Sequence, residues 1–190
     1  LLKFEGIEAW LKNKTEKNRE RAPYKVIRND LPKTTHHGWK FIRIGPDGML
    51  YVPEGAPCNV CKIESPEFAS LHKFSLDGKR KELVAQGIRN TVGFDFHPMT
   101  KQLYFTDNGR DMLGDDVPAD ELNKVSKPGE HFGYPYCHQG DIADPEFAAE
   151  KKCSKFTAPI RKLGPHVAAL GMRFYEGKMF PANYKKKIFI

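Results

Sequence analysis

Short apolar runs with strand spacing recur along the chain, each broken by turn residues. Phe41, Ile42 and Ile44 lead into Gly45-Pro46-Asp47-Gly48, and Leu50-Tyr51-Val52 resumes the run beyond the turn. Proline fixes φ in such a turn and glycine takes φ > 0, so 41–55 predicts a β-hairpin. The stretch "GFDFHPMTKQLYFTDNG" (93–109) repeats the design. Ile44 matches Phe96 and Leu50 matches Leu103, an offset of 52–53 residues. A third copy starts at "LGMRFY" (170–175) and resumes at "IFI" (188–190). Between the first two copies, "LHKFSL" (71–76), the turn "DGKR" and "KELVAQG" (81–87) supply two more strands.

Four short antiparallel strands in about 50 residues are the signature of a β-propeller blade. The expected class is therefore all-β, with blade-like units at about 41–87 and 93–140 and partial blades at 1–32 and 170–190. Short helices are expected only within 6–20 and 144–153, inside long insertions. A propeller ring uses at least four blades, so about two complete ones do not close it. The chain lacks an initial Met and stops at "KKKIFI" inside a strand pattern, as a piece of a longer protein would.

Composition narrows the class. The 190 residues suffice for one domain with a real core, and 39% hydrophobic with 12% aromatic residues is ordinary for a globular protein. No run of 18 apolar residues exists, so no membrane span is expected. Lys+Arg 31 against Asp+Glu 24 gives +7. The basic runs at 12–21, 79–81 and 185–187 are short and scattered, which favours solvated surface over a nucleic-acid stripe. A net positive charge suits an anionic cofactor or an acidic redox partner as well.

Cys58, Cys61, Cys137 and Cys153 are the only cysteines. "CNVC" (58–61) reads as half a zinc site, a c-type haem attachment or a disulfide. Haem attachment wants His after the second Cys, where this chain has Lys62. Zinc needs two more ligands, and only Cys137-His138 and Cys153 remain, far along the chain. An even count in a loop-rich chain favours disulfides in an oxidising compartment, periplasmic or secreted. A Cys137–Cys153 bridge would contribute about 3 kcal/mol by restricting the unfolded chain.

The ordered set "HHGWKFIRIGPDGMLYVPEGAPCNVC", "GIRNTVGFDFHPMTKQLYFTDNGRD" and "GEHFGYPYC" closely resembles the quinoprotein sugar dehydrogenases, which include soluble glucose and aldose dehydrogenases and the sorbosone branch. The likeness runs over about 32–140 and resumes at "LGMRFYEGKMFP" (170–181). It implies a six-bladed propeller, about half of it in this chain, that binds pyrroloquinoline quinone (PQQ) and calcium at one face with the sugar above. It also implies oxidation of an anomeric carbon by hydride transfer to the quinone, with a cytochrome c as one candidate acceptor protein.

The residue roles follow from that resemblance. A histidine eight residues before the glycine of the "GPD" turn would be the general base, which is His37; a register slip of one would select His36. Imidazole suits the task because its pKa lies near working pH. Arg89 and Asn90 of "GIRN" would contact the cofactor, with Thr91 where the family has proline. A guanidinium suits carboxylates and quinone oxygens. In "TDNGRD" the carbonyls of Gly109 and Arg110 would bind calcium, a hard ion that accepts backbone oxygens. The nearby Asp111, Asp115, Asp116, Asp120 and Glu121 read equally as metal ligands or loop-solvating charges. Further quinone-clamping Lys and Arg are expected beyond Ile190. A non-catalytic binding propeller and a calcium-dependent propeller lactonase are the rival readings. The fold predicts His37, Arg89 and Gly109 on one face.

Overall fold

The computed structural model describes residues 1–14 and 21–190. Among the described residues the regular structure is almost wholly short strands, nearly all antiparallel, joined by long loops. An N-terminal pair, β1 (Leu2–Phe4) and β2 (Tyr24–Val26), flanks one short helix, α1 (Ile7–Asn13). That helix occupies the start of the expected 6–20 segment; residues 15–20 lie outside the described residues.

The first sheet runs β3 (Arg43–Ile44), β4 (Leu50–Glu54), β5 (Ser70–Phe74) and β6 (Lys81–Gln86), each antiparallel to the next. The second runs β7 (Phe94–Phe96), β8 (Leu103–Asp107) and β9 (Ala119–Lys124). β10 (Glu130–His131) does not extend this second sheet. It returns to the first and pairs parallel with β6. β11 (Cys137–His138) and β12 (Ile142–Ala143) form a small hairpin. β13 (Arg161–Pro165) then comes back to pair with β9 and completes four antiparallel strands. The outer strand of the second sheet thus lies beyond the 93–140 span read from the sequence. A third hairpin joins β14 (Arg173–Phe174) and β15 (Ile188–Phe189).

Side-chain alternation stacks these layers in a row. Tyr51, Leu71, Val84 and Ala85 of the first sheet meet Phe94, Leu103 and Phe105 of the second, with Met49, Ile88 and Phe132 completing one buried cluster. On its other side the second sheet offers Leu122 to Met172 and Phe174 of the third hairpin. Asp95 brackets the row at the hairpin edge. It pairs with Arg43 of β3 and accepts the Phe174 amide of β14 at 2.9 Å. Each turn keeps the geometry its residues demand, as Gly48 does with φ 73° in the first hairpin.

Residues 144–153 do not form the expected α-helix. The Asp144 carboxylate accepts the amides of Glu146 and Phe147 at 2.8 and 3.0 Å and its carbonyl accepts Ala148 at 3.0 Å, a capped single turn that is not continued into a helix. A short 3₁₀ turn at Cys153–Lys155 follows. Cys153 is bridged to Cys137, and Cys58 to Cys61. All four cysteines are thereby consumed, so "CNVC" is neither a zinc half-site nor a haem attachment. No helix among the described residues is long and apolar enough to cross a membrane.

Phe105 is fully buried and meets the Phe132 ring edge-on at 4.9 Å between ring centres. Phe105→Ala should therefore cost about 3–5 kcal/mol, the usual range for emptying a packed aromatic site. Urea unfolding followed by tryptophan fluorescence measures it. A loss well under 1 kcal/mol would mean that the two sheets do not pack through this ring.

Candidate functional site

The ends of β4 and β8 and the loop after β6 converge, and this is where the sequence places its candidates. Gly55 and Ala56 follow β4. Ala56 bonds in two directions. Its amide donates to the Arg89 carbonyl at 2.8 Å, and its carbonyl lies 2.8 Å from Nδ1 of His37. A Cβ at Gly55 would meet the His37 carbonyl oxygen at 3.1 Å and that of Arg89 at 3.3 Å, so only glycine lets the two segments approach this closely. The structure thus brings His37 and Arg89 together across 52 residues of sequence.

His37 stands at φ 50°, in the left-handed region, a conformation a non-glycine residue holds where its surroundings over-determine it. The Ala56 bond is one restraint. The other is the ion pair between Lys40 and the buried Glu54 at 2.7 Å, which ties the same segment to β4. Because a carbonyl only accepts, Nδ1 must carry the proton and donate. Nε2 is then the unprotonated nitrogen. Burial pushes the imidazole down to about 4, and the nearby Arg89 charge adds to the shift. His36 is exposed and packs edge-on against His37 with ring centres 4.1 Å apart. The restrained, neutral imidazole is that of His37.

Arg89 is buried and every one of its donors is used. Nε donates to the Asn59 carbonyl at 2.8 Å. Nη1 donates to the carbonyls of Asn108 at 3.2 Å and Gly109 at 2.8 Å. Nη2 donates to the Asn59 side-chain oxygen at 2.8 Å and to the Asp111 carboxylate at 3.0 Å. A guanidinium has five N–H groups, so none is left for a cofactor in this arrangement. Asn90 differs. Its backbone is fixed by Asp107 and Asn108, while its half-buried side-chain amide makes no hydrogen bond among the described residues.

Gly109 and Arg110 lie where the carbonyl pair was expected. Gly109 is held at its amide by Asp120 at 2.8 Å and at its carbonyl by Arg89. The Arg110 side chain turns to the buried Asp144 at 2.5 Å, which also meets His138 Nε2 at 2.8 Å. The residues as arranged do not fit calcium at this pair, because a guanidinium already sits on the Gly109 oxygen and would repel a dication there. The acidic group near this loop is not one cluster either. Asp115 and Asp116 are exposed, Asp120 and Glu121 are buried in β9, and no set of three such side chains among the described residues is placed to hold a metal. For a quinone the donor set fits in part, through the Asn90 side-chain amide, which is unbonded among the described residues, and without Arg89.

Three residues that the sequence reading passed over complete the site. Asn59 lies within the "CNVC" disulfide ring, read only for its cysteines; besides Arg89, its side chain bonds both the amide and the carbonyl of Asp111, at 2.9 and 3.1 Å. Tyr134, of the stretch "GEHFGYPYC", supports the ring by accepting the Cys61 amide at 3.1 Å. Asp107 accepts the amides of Arg89 and Asn90 at 2.9 and 2.6 Å. It ends β8 as Glu54 ends β4. A small polar cavity lies behind them, lined by Arg89, Asp107, Arg110, Glu121, Tyr134 and His138 among others.

Asp107 and Glu121 face each other's charge in that cavity. Burial raises both above the usual carboxylate range. Asp107 has two amide donors and the Arg89 charge to stabilise its anion, whereas Glu121 has the Asn123 side-chain amide at 2.8 Å and the Gln139 backbone but no arginine. Glu121 is therefore the better holder of a proton near neutrality.

Residues 69–190 match the family model for glucose/sorbosone dehydrogenase. A Borreliella burgdorferi protein named "Uncharacterized protein" is 41% identical over 164 residues, which are 84% of this chain and 43% of that protein. Among solved structures, a glucose dehydrogenase is similar at 21% identity with a TM-score of 0.65, over 88% of this chain and 52% of that one. The soluble aldose sugar dehydrogenase of Escherichia coli in its apo form has 21% identity and a TM-score of 0.64, over 87% and 51%. The PQQ domain of pyranose dehydrogenase from Coprinopsis cinerea, in its holo form, has 18% identity and a TM-score of 0.63, over 73% and 45%. At these identities the structures speak for the fold. The chain spans about half the length of the proteins it matches.

Glu121 supplies a pH test of the cavity. Its raised pKa means that the folded chain keeps a proton the unfolded chain would release. That contribution is complete below the ordinary glutamate range and is lost as pH rises through the raised value. Glu121→Gln, which cannot lose a proton, should differ little from wild type at about pH 4 and become the more stable of the two by about pH 9. Thermal unfolding across that range reads the difference. A difference independent of pH would show Glu121 ionised throughout.

Proposed function

The chain belongs to the glucose/sorbosone dehydrogenase family, and from that premise we propose that it carries the proton-accepting part of a PQQ-dependent sugar dehydrogenase. The observation that supports this best is the state of His37: one ring nitrogen is tied to Ala56, and the other is left unprotonated at working pH. The substrate class is an aldose or a related sugar aldehyde. Nε2 of His37 takes the proton of the anomeric hydroxyl as hydride leaves the anomeric carbon. When bound, PQQ supplies the two-electron acceptor. The side-chain amide of Asn90 is the donor this chain offers to it, while Arg89 holds the loop beside it. No step is routed through calcium. Removing the proton as the carbon–hydrogen bond breaks avoids a protonated carbonyl product, and a general base of this kind contributes about 10²–10⁴-fold.

In this reading the sheets are blades of a six-bladed ring, with blade-like units at 41–87 and at 93–124 closed by Arg161–Pro165, and partial ones at 1–32 and 170–190. Apolar side chains left exposed at both ends of the row agree with neighbouring blades there, such as Ile44 (54% exposed) and Phe189 (40%). Two disulfides agree with a periplasmic or secreted site of action. The electron acceptor after the quinone would be a protein such as a cytochrome c.

The test uses the full-length protein reconstituted with PQQ, with reduction of a dye by an aldose as the readout. His37→Ala should lower kcat by about 10²–10⁴-fold with quinone uptake intact, and His36→Ala should change it little. The base stays unprotonated down to about pH 4. Wild-type activity should therefore hold level from about pH 8 to pH 5 and fall only in stronger acid, not near the ordinary imidazole value of about 6.5. Unchanged turnover in the His37 variant removes it as the base. A wild type that takes up no quinone removes the dehydrogenase reading.

A further inference from the structure

Five oxygens surround the Arg89 guanidinium: the Asn59 carbonyl and side-chain oxygens, the carbonyls of Asn108 and Gly109, and one Asp111 carboxylate oxygen. Backbone carbonyls, an amide oxygen and one carboxylate are the donor set of a hard-cation site. Here a side chain of the same protein fills it. We propose that Arg89 is the permanent internal cation of this oxygen cradle, clamped by Asn59 of the Cys58–Cys61 ring, so that the 108–111 loop keeps its shape without a bound metal ion.

Three features carry the proposal. The bonds saturate the guanidinium, so it has no donor to trade for another partner without leaving one unmet. One of those oxygens is held from the other side as well, because the Asn59 side-chain oxygen also accepts the Asp111 amide while the Asn59 amide group donates to the Asp111 carbonyl. And Asn59 cannot drift, because the disulfide closes its loop and the Tyr134 hydroxyl holds it at Cys61. Asn59 is thus a positioning residue: it acts on the loop and on His37 through Arg89. The inference goes beyond the dehydrogenase reading and does not need it. Neither quinone uptake nor turnover is measured in its test, so a failure here leaves that reading standing.

The experiment is calcium titration of the disulfide-intact chain, by calorimetry and by thermal unfolding in chelator or calcium. Wild type should bind no calcium up to about 1 mM and unfold at the same temperature in both conditions. Arg89→Ala empties the cradle; it should unfold at a lower temperature in chelator and recover part of the loss in about 1–10 mM calcium. Arg89→Gln is read in the same way should the alanine variant not fold in chelator. For Asn59→Ala, the proton chemical shift of His37 is followed with pH. Loosening the guanidinium should raise the imidazole pKa from its low value, and the difference from wild type should shrink with added salt, as an effect carried by the Arg89 charge does and one carried by solvent exposure does not. Wild-type saturation with a Kd below about 0.1 mM overturns the proposal. So do Arg89 variants that calcium neither restores nor stabilises. An unmoved His37 in Asn59→Ala overturns the role of Asn59.

Discussion

A buried guanidinium must find an acceptor for every N–H it carries, and that single demand organises the site of this protein. Leaving one such donor unmet costs about 1–3 kcal/mol, and more where the group is charged. Arg89 is 6% exposed. Its acceptors come from the loop after β4 and the loop after β8, and its own amide is held by Asp107 at the end of β8. No one of these loops can move without breaking bonds to the other. The loops are ordered because the charge is, and the charge is ordered because the sheets bring their ends together.

The sheets do so by ordinary burial. Phe94, Phe105 and Leu103 fill the space against Tyr51, Leu71 and Ala85, and this packing sets the distance between the ends of β4 and β8. Close approach then needs Gly55 beside His37 and Arg89. A second buried charge secures the far side of the same loop. Arg110 meets Asp144 and through it His138, next to the Cys137–Cys153 bridge. Arg89 of the loop after β6 and Arg110 of the loop after β8 therefore point to different partners, one to each disulfide region.

The electrostatics of the site follow from the same arrangement. Partial burial and the Arg89 charge keep His37 neutral, so the group that holds the loop also leaves the second ring nitrogen unprotonated near neutral pH, as a weaker base than an exposed imidazole. In the cavity behind, the carboxylates of Asp107 and Glu121 lie within reach of each other's charge, and burial raises both. A site with this much fixed charge in low dielectric has little freedom to rearrange, which suits a task of positioning.

Much of the local architecture was legible in the chain. Turn residues such as Gly45-Pro46-Asp47-Gly48 and the alternation around them depend on neighbours in sequence, and β3–β4, β7–β8 and β14–β15 form where those patterns lie. The paired cysteines were legible too, because their even count in a loop-rich chain leaves few other uses. The sites of long-range pairing were not. β10 reads as a continuation of the second sheet but adds parallel to β6, and the closing strand arrives only at Arg161–Pro165; edge pairing is decided by which open edge is near, a property of the folded layers. Arg89 reads as a cofactor contact, and Arg110 as a carbonyl ligand. Their acceptors are 30 and 34 residues away, in Asn59 and Asp144. By itself the sequence determined the hairpins, their repeat and the residue types at their ends, because those rest on local sterics and alternation. Only the tertiary structure decided where each buried charge finds its partners, because a hydrogen bond depends on distance and angle between groups that the chain brings together last.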